Sequence, residues 1–323
     1  MLELRRGDAP RGGPVTAPIT APLAARVALL LTLPPLMWAG NAVVSRALVG
    51  SVGPLTLNAM RWWLALLILL PLGWRVLRQP RDITVRWKHL ALLGFLGVGS
   101  YNALQYMAVQ TSTPINITLI ASSSPVWMLL FGAWFYGEAV TRRQWAGAVL
   151  SLLGVGMVLS RGSVDTLLHV RLVIGDVYIL LAIALWALYS WQLARPPASM
   201  RGDARPAWGW AEFLLAQVLF GAVWAGLGAG VEAVWAPLPI AWSAGLLAAW
   251  LFVAVGPSLI AFRSWGLGVA TVGPAVAAFF SNLTPVFAAM LSALMLGEWP
   301  QWYHGVAFAL IVAGIVVSSR PSR

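Results

Sequence analysis

SSSPVWMLLFGAWFYGE, residues 122–138, returns 160 residues later as NLTPVFAAMLSALMLGE, residues 282–298. The two segments share a Pro-Val step and a closing Gly-Glu pair, and they align without a gap. Self-similarity at a fixed offset is typical of a duplicated structural unit. We therefore predict two homologous halves. The same offset pairs further positions: Thr111 with Thr271, Pro114 with Pro274 and Gly154 with Gly314.

Both halves are too apolar for a water-soluble fold. Of the 323 residues, 60% are hydrophobic and only 10% are charged, whereas charged residues make up about a quarter of soluble domains. The apolar runs are continuous, not alternating, which excludes a transmembrane β-barrel. Since about 20 apolar residues in a helix cross a bilayer, we predict an all-α membrane protein with ten transmembrane helices. They fall near 26–48, 54–74, 89–110, 113–136, 143–160, 172–193, 208–230, 242–267, 272–296 and 301–319.

The charged residues indicate how the chain crosses the membrane. Its net charge of +11 comes from basic residues between the apolar runs, so it predicts a lipid bilayer around the protein and no nucleic-acid partner. These residues gather in every second connection, such as 75–88 and 195–205, and are sparse elsewhere, where Arg46 and Arg61 are interpreted as lying near helix ends. The positive-inside rule then predicts a multi-pass protein of the cell inner membrane with both termini in the cytoplasm.

Five helices per half predict that the second half is inverted relative to the first. An odd number of spans reverses the orientation of the second copy, and such inverted repeats are common in secondary transporters. The predicted organisation is a disordered cytoplasmic tail (1–25), the first repeat (26–160), helix six opening the second repeat (161–195), a cytoplasmic linker (196–207), helices seven to ten (208–319) and a short tail (320–323).

Two prolines mark a candidate hinge. Pro125 and Pro285 fall near the middle of helices four and nine, where proline removes an amide donor and strains the preceding turn. Three residues before each stands a polar side chain, Ser122 in one half and Asn282 in the other, which we expect to form the floor of a cavity. The alternative is that the prolines only shape packing and the neighbouring hydroxyls bond their own helix.

Polar and aromatic side chains share faces of four further helices. Such stripes suit a ligand with an apolar body and hydrogen-bonding groups. For each aromatic residue, anchoring at the membrane interface is an equal alternative. Arg263 in helix eight either faces a cavity, where it would hold an anionic group, or extends to the interface. The remaining candidates for the cavity are Trp38 and Asn41 in helix one, Tyr101, Asn102 and Gln105 in helix three, Trp186 and Tyr189 in helix six, and Phe262 and Trp265 in helix eight.

The sequence contains little that suggests an enzyme. It has no cysteine, three histidines without ligand spacing, no nucleophile paired with a base and no phosphate-binding glycine loop, so we predict no catalytic residues, no metal site and no cofactor. Glu138 and Glu298 follow helices four and nine and are typical of helix boundaries, and Asp176 is the other acidic candidate. Nothing resembles a buried carboxylate pair, so proton coupling is not supported.

The repeated segments carry a resemblance to a known family. Residues 114–120, Ser124 to Trp127 and the Gly-Glu pair, with their second copies, resemble the drug/metabolite transporter superfamily of EamA type. The resemblance implies ten helices in two inverted five-helix repeats, a central cavity and transport without ATP hydrolysis. Asn116 and Thr118 depart from the small apolar residues more usual there, so the polarity around helix four is not carried over.

We therefore expect a secondary transporter that exports or equilibrates a small amphipathic metabolite by alternating access. Amino acids, aromatic ones included, are the leading substrate class because of the aromatic stripes. Nucleosides, purines or cationic drug-like solutes are the alternative within transport. A non-transporting membrane scaffold or a partner in lipid modification is the alternative outside it. The oligomeric state is left open, and a monomer is compatible with the sequence.

Overall fold

The computed structural model describes residues 25–163, 165, 171–296 and 301–319. Three sequence predictions lie outside the described residues: the N-terminal tail 1–25 except residue 25, the C-terminal tail 320–323, and Glu298. Within those ranges the elements are helices and no strand occurs, as expected for an all-α protein. They are α1 Ala25–Ala47, α2 Pro54–Gly73, α3 Pro80–Val85, α4 Trp87–Leu93, α5 Tyr101–Thr111, α6 Pro114–Ala121, α7 Ser124–Tyr136, α8 Arg142–Leu159, α9 Ile174–Ala194, α10 Trp210–Trp235, α11 Ala244–Val253, α12 Ala261–Ser281, α13 Thr284–Leu296 and α14 Trp302–Ser319.

Seven helices of the described chain are long and apolar enough to cross a membrane. Fewer are counted than the ten predicted stretches because three of those do not stand as long apolar helices. The third contains a π-helical segment, Gly94–Ser100, between α4 and α5, and its polar residues Asn102 and Gln105 lower its mean hydropathy. The fifth, α8, begins with two arginines and a glutamine, which lower its mean hydropathy. The ninth is joined to the eighth, because α12 runs through both.

The helix bounds repeat at the offset of 160 residues found in the sequence. The bounds of α7 and α8 recur in α13 and α14, and the break before α7 recurs before α13. The π-helical segment Gly94–Ser100 recurs as Ala254–Ile260. Single π-helical turns are rare and often mark functional sites. The two halves therefore share the positions at which their helices bend and break.

Contacts between the two halves are extensive. α1 packs against α12 and α13, and α9 packs against α5, α6 and α7 in the matching arrangement; α2 lies along α10, and α8 along α14. Between α8 and α14 the backbones meet at Gly147 and Gly314, where an added Cβ on either glycine would lie 2.7 Å from the carbonyl oxygen of the other. Small residues of this kind let membrane helices approach closely.

The prolines lie at helix starts and not inside helices, which corrects the sequence prediction. α6 ends at Ala121 and α7 begins at Ser124, so Pro125 is in the first turn of a new helix; Pro285 is likewise the second residue of α13. A first-turn amide has no partner inside its helix, so proline there leaves no hydrogen bond unmade. The two residues before each of these helices, Ser122-Ser123 and Asn282-Leu283, form a turn that interrupts the helix.

The predicted connection between helices eight and nine is a kink within α12. Gly273 adopts φ 79° and ψ 162°, a conformation that a side chain would oppose, and Pro274 follows it. In the first half the corresponding position is Thr113, which caps α6 by accepting a hydrogen bond from the amide of Asn116. The halves therefore change direction at the matched position with different residues and different backbone conformations, since φ is 79° at Gly273 and −85° at Thr113.

Glu232, near the end of α10, caps another helix. Its carboxylate accepts hydrogen bonds from the amides of Leu55 at 3.0 Å and Thr56 at 2.7 Å, in the first turn of α2. These amides have no partner within their own helix, and a negative charge at a helix N-terminus is stabilising. Glu232 thus ties the start of α2 to α10.

Asp176 fastens the start of α9 to α5 and α6. Its carboxylate accepts from the Asn116 side-chain amide and the Val173 backbone amide, both at 2.8 Å, and from the Ser112 hydroxyl. The acidic candidate of the sequence is therefore a clamp between helices. The same contact explains the polar Asn116, whose side chain binds Asp176.

Candidate functional site

A cavity of about 110 Å³ lies between α1, α5, α6, α9 and the break that separates α12 from α13. Its walls reach from Ser45 and Val109, near the ends of α1 and α5, down to Trp186 in the middle of α9. We call it the first cavity. Seven of the twelve predicted cavity residues line it, together with Pro285: Trp38, Asn41, Tyr101, Gln105, Ser122, Trp186 and Asn282.

Several polar groups around the first cavity lack hydrogen-bond partners within the described chain. Asn282 is 1% exposed, yet neither its amide nitrogen nor its oxygen is bonded. The hydroxyl of Ser124 and the indole N–H groups of Trp38 and Trp186 are also unbonded. Each buried unpaired group costs about 1–3 kcal/mol. Four such residues around one cavity are what a site needs if a polar ligand or water completes its hydrogen bonds.

The hydroxyls beside the helix breaks behave differently. Ser122 and Ser123 donate to carbonyl oxygens three residues earlier at 2.6 Å, and Thr284 does the same in the second half. For these residues the alternative of bonding to their own helix is the one observed. The unbonded groups at the breaks are therefore Asn282 and Ser124.

An aromatic partition closes the inner end of the first cavity. We define it as Trp38, Tyr101, Trp186, Tyr189, Phe262 and Trp265. Trp186 is at its centre, stacked on Tyr101 at 4.4 Å and on Tyr189 at 5.0 Å between ring centroids. Trp38, Phe262 and Trp265 surround it, with centroids 5.3 to 5.4 Å from its own. Of the predicted aromatics, these six form one packed cluster instead of separate interface anchors.

A second cavity, of about 230 Å³, lies on the other side of the partition. Along α9 the first cavity borders Ile179 to Trp186, and the second borders Tyr189 to Leu193, so Trp186 separates them. Phe262 and Arg263 line the second cavity and Trp265 lies in the partition, so none of the three predicted residues of helix eight lines the first cavity. Arg263 is exposed and lies over the Trp210 ring, 5.1 Å from its centroid.

Sequence reasoning missed Arg61, which is wholly buried in α2 and is not at a helix end. Its guanidinium donates from Nη1 to Asn102 Oδ1 at 2.8 Å and to the Tyr106 hydroxyl at 2.9 Å, and from Nε to the Ser258 hydroxyl. The Tyr106 hydroxyl in turn donates to Asn41 Oδ1 at 3.0 Å. Asn102 thus holds Arg61 and does not line the cavity, whereas Tyr106 lines it.

The misplacement of Arg61 has a simple cause. One arginine within an apolar run eight residues from a helix start is compatible with an interface position on sequence alone. The signal that could have identified it is the polar set it meets, since Asn102 and Tyr106 lie four residues apart on one face of the third stretch.

Comparison with known proteins gives a consistent result. The model of the EamA-like transporter family matches residues 25–160 and again residues 173–320. The chain is 26% identical over 297 residues to the "Aromatic amino acid exporter YddG" of Ancylobacter novellus, covering 89% of this chain and 95% of that protein. It is 27% identical over 306 residues to a "Probable terminal-alkyne amino-acid exporter" of Streptantibioticus cattleyicolor, covering 91% and 92%.

A solved crystal structure shares the fold. Its TM-score is 0.68 at 23% sequence identity, and the match covers 91% of this chain and 96% of the other. The family matches extend over most of the chain, and they agree with the helical, membrane-spanning character of the described residues. The protein is accordingly a multi-pass membrane transporter, not an enzyme, and it belongs to the EamA-like transporter family.

Proposed function

We propose that the protein is a secondary transporter that exports or equilibrates amino acids, aromatic ones included, by alternating access through the first cavity. The observation that carries this proposal is the set of unpaired polar groups around that cavity, above all both amide atoms of Asn282. Aromatic rings beside unpaired hydrogen-bonding groups suit a ligand with an apolar body and a polar head. Two relatives are named as amino-acid exporters, which supports the same class.

The charge of the first cavity argues against a cationic drug. Among the described residues that line it there is no aspartate or glutamate to neutralise a cation, and a buried arginine contacts Tyr106 in its wall. A nucleobase would still stack on the rings, so purines and nucleosides belong in any substrate panel.

Ten helices in two inverted repeats fit the packing described above. The exchange of partners supports this architecture: α1 packs on α12 and α13, and α9 packs on α5, α6 and α7. The two successive matches of the family model support it as well. In the proposed inner-membrane topology both termini and residues 196–207 are cytoplasmic, so the second cavity would open toward the cytoplasm.

The helix breaks before Pro125 and Pro285 are the proposed hinges. At each break two residues, Ser122-Ser123 or Asn282-Leu283, form a turn in which amides bond carbonyl oxygens three residues earlier, as Ser123 does to Ile120 and Leu283 to Phe280. Few hydrogen bonds cross such a break, so the helices on either side can turn relative to one another. The matched positions of the two breaks would let the halves exchange conformations between outward and inward access.

Counterflow in proteoliposomes tests the function directly. Vesicles loaded with one unlabelled solute are diluted into the labelled solute, across a panel of amino acids, purines, nucleosides and organic cations. Exchange of aromatic amino acids is expected. A flat response to amino acids with exchange of another solute would assign a different substrate, and no exchange of any solute would favour the scaffold alternative.

Two substitutions test the placement of the site. Asn282→Ala and Asn41→Ala should reduce exchange at least tenfold with normal membrane insertion, because each removes a polar group at the first cavity. Thr271→Ala is the matched control, since Thr271 is exposed and bonds only its own helix at Leu267. Unchanged exchange in both asparagine variants would contradict the placement of the substrate site in the first cavity.

The absence of native cysteine allows a test of topology. Ser163, between α8 and α9, and Ala198, between α9 and α10, are exposed and predicted on opposite sides of the membrane. Single cysteines at these positions should react with an impermeant maleimide in intact cells only at 163. Labelling of both or of position 198 alone would contradict the proposed topology.

A further inference from the structure

On the basis of the proposed amino-acid transport, we propose that Arg61 makes the first cavity selective for ligands that carry a carboxylate. Arg61 does so in two ways. Its charge has no acidic partner among the described residues, and its hydrogen bond to Tyr106 determines the direction of the hydrogen bond between Tyr106 and Asn41. Arg61 is a positioning residue here, because Tyr106 stands between it and the cavity.

The charge of Arg61 has no acidic partner among the described residues. Its guanidinium is wholly buried, its three bonds go to neutral oxygens, and Nη2 has no partner. Two other arginines of the described chain, Arg86 and Arg195, do have acidic partners, Asp82 and Glu138. A buried cation without a counter-ion is costly, and within a membrane such a residue is a functional site by default.

The hydrogen bonds of Arg61 determine which atoms of Asn41 face the cavity. Arginine can only donate, so the Tyr106 oxygen must accept from Nη1, and its single proton is left for Asn41 Oδ1. With Oδ1 occupied, the amide of Asn41 offers its Nδ2 hydrogens to a ligand. Through Tyr106, the buried Arg61 in α2 thereby orients Asn41 so that its side-chain N–H groups are available in the cavity wall.

The other unpaired groups of the first cavity add donors. The indole nitrogens of Trp38 and Trp186 can only donate, and both are unbonded within the described chain. With Asn41 they give the wall three donor groups, while the described lining carries no carboxylate. A ligand carboxylate offers acceptors only, and charge-assisted hydrogen bonds to it are roughly twice as strong as neutral ones.

Competition in the counterflow assay tests this proposal. Inhibition of the exchange of labelled phenylalanine is measured with three unlabelled competitors: phenylalanine, phenylalaninamide and phenethylamine. The last two keep the ring and lack the carboxylate. The wild-type protein should prefer phenylalanine over the other two by at least about tenfold. In Arg61→Gln that preference should fall to within about twofold, while Arg61→Lys, which keeps the charge, should retain most of it.

Ser258→Ala is the matched control. It removes the bond from Arg61 Nε and leaves the charge and the route through Tyr106 intact. It should therefore keep the preference for the carboxylate even if the protein is less stable. Loss of preference in Ser258→Ala as large as in Arg61→Gln would show that packing, and not charge, sets the selectivity, and would overturn the proposal.

The outcomes separate this inference from the proposed function. Exchange of amino acids with a preference that is unchanged in Arg61→Gln overturns the role of Arg61 alone. No exchange of any amino acid by the wild-type protein overturns the proposed function. If Arg61→Gln does not fold, judged by gel filtration in detergent, the wild-type competition decides, since equal inhibition by acid, amide and amine contradicts the proposal.

Discussion

Trp38 and Trp186 meet edge to face, with ring centroids 5.4 Å apart and planes at 89°, at the inner end of the first cavity. Trp38 is in α1, in the first half of the chain, and Trp186 is in α9, the first helix of the second half. Their contact therefore joins the two halves. Trp186 is 1% exposed and separates the first cavity from the second. We therefore expect that movement of this ring connects the two cavities.

Truncation of Trp186 should open a leak between the cavities. Trp186→Ala removes the ring that Trp38 and Tyr101 pack against, and we expect solute efflux that no longer requires solute on the other side. The lost packing should also cost about 3–5 kcal/mol of stability. Efflux into solute-free buffer, compared with counterflow, measures the leak.

The control for this variant is Trp134→Ala, because Trp134 is 64% exposed on α7. It should leave both efflux and counterflow unchanged. Trp186→Phe retains an aromatic ring and should leak less than Trp186→Ala. A tight, fully coupled Trp186→Ala protein would show that the partition does not form the barrier.

A methyl group at Gly147 should destabilise the contact between α8 and α14. Its Cβ would lie 2.7 Å from the carbonyl oxygen of Gly314 and 2.8 Å from Cβ of Ser318, and backbone at that distance cannot move aside easily. We expect Gly147→Ala to lower the melting temperature in detergent by several degrees, in keeping with about 1–3 kcal/mol for overpacking.

Gly156→Ala on the same helix is the control. No atom lies within 4 Å of a Cβ built at Gly156, so alanine there should leave the melting temperature unchanged or raise it. Equal melting temperatures for the two variants would mean that α8 and α14 pack less closely than described.

Removal of the Glu232 carboxylate should weaken the start of α2. Glu232→Ala leaves the amides of Leu55 and Thr56 without their acceptors, and we expect a loss of about 1–2 kcal/mol, the usual cost of a lost N-terminal cap. Glu232→Gln keeps one oxygen and should lose less. Melting temperatures that place the glutamine variant below the alanine variant would contradict the capping role.

Asp176 and Asn116 should be coupled in stability. Their side chains bond at 2.8 Å, and each also holds other groups, so the single variants Asp176→Ala and Asn116→Ala should both destabilise. Because the partners share one bond, the double variant should lose less than the sum, with a coupling of about 0.5–3 kcal/mol. Additive losses in chemical unfolding would argue that the two residues act independently.

The sequence predicted an all-helical membrane protein because the length of each apolar run depends only on the residues within that run. It located the breaks near Pro125 and Pro285 but not their form, since a proline inside a helix and a proline starting one look alike until the hydrogen bonds are known. Asn282 was predicted from its position three residues before Pro285, and Trp186 from the aromatic and polar residues of helix six. Arg61 was not, because its significance depends on Tyr106 and Ser258, residues distant in the chain that only the packing brings together.

Substitution of Pro125 or Pro285 should affect transport more than stability, because both prolines lie in the first turn of a helix. Pro125→Ala or Pro285→Ala adds a backbone amide, which can donate to the carbonyl oxygen four residues earlier, at Ala121 or Ser281, so the melting temperature should not fall. Alanine, however, allows α12 and α13, or α6 and α7, to join into one continuous helix. We therefore expect counterflow to fall several-fold in either variant while Pro71→Ala, at an exposed position of α2, keeps wild-type exchange. Wild-type exchange in both hinge variants would mean that the breaks shape the first cavity without bending during transport.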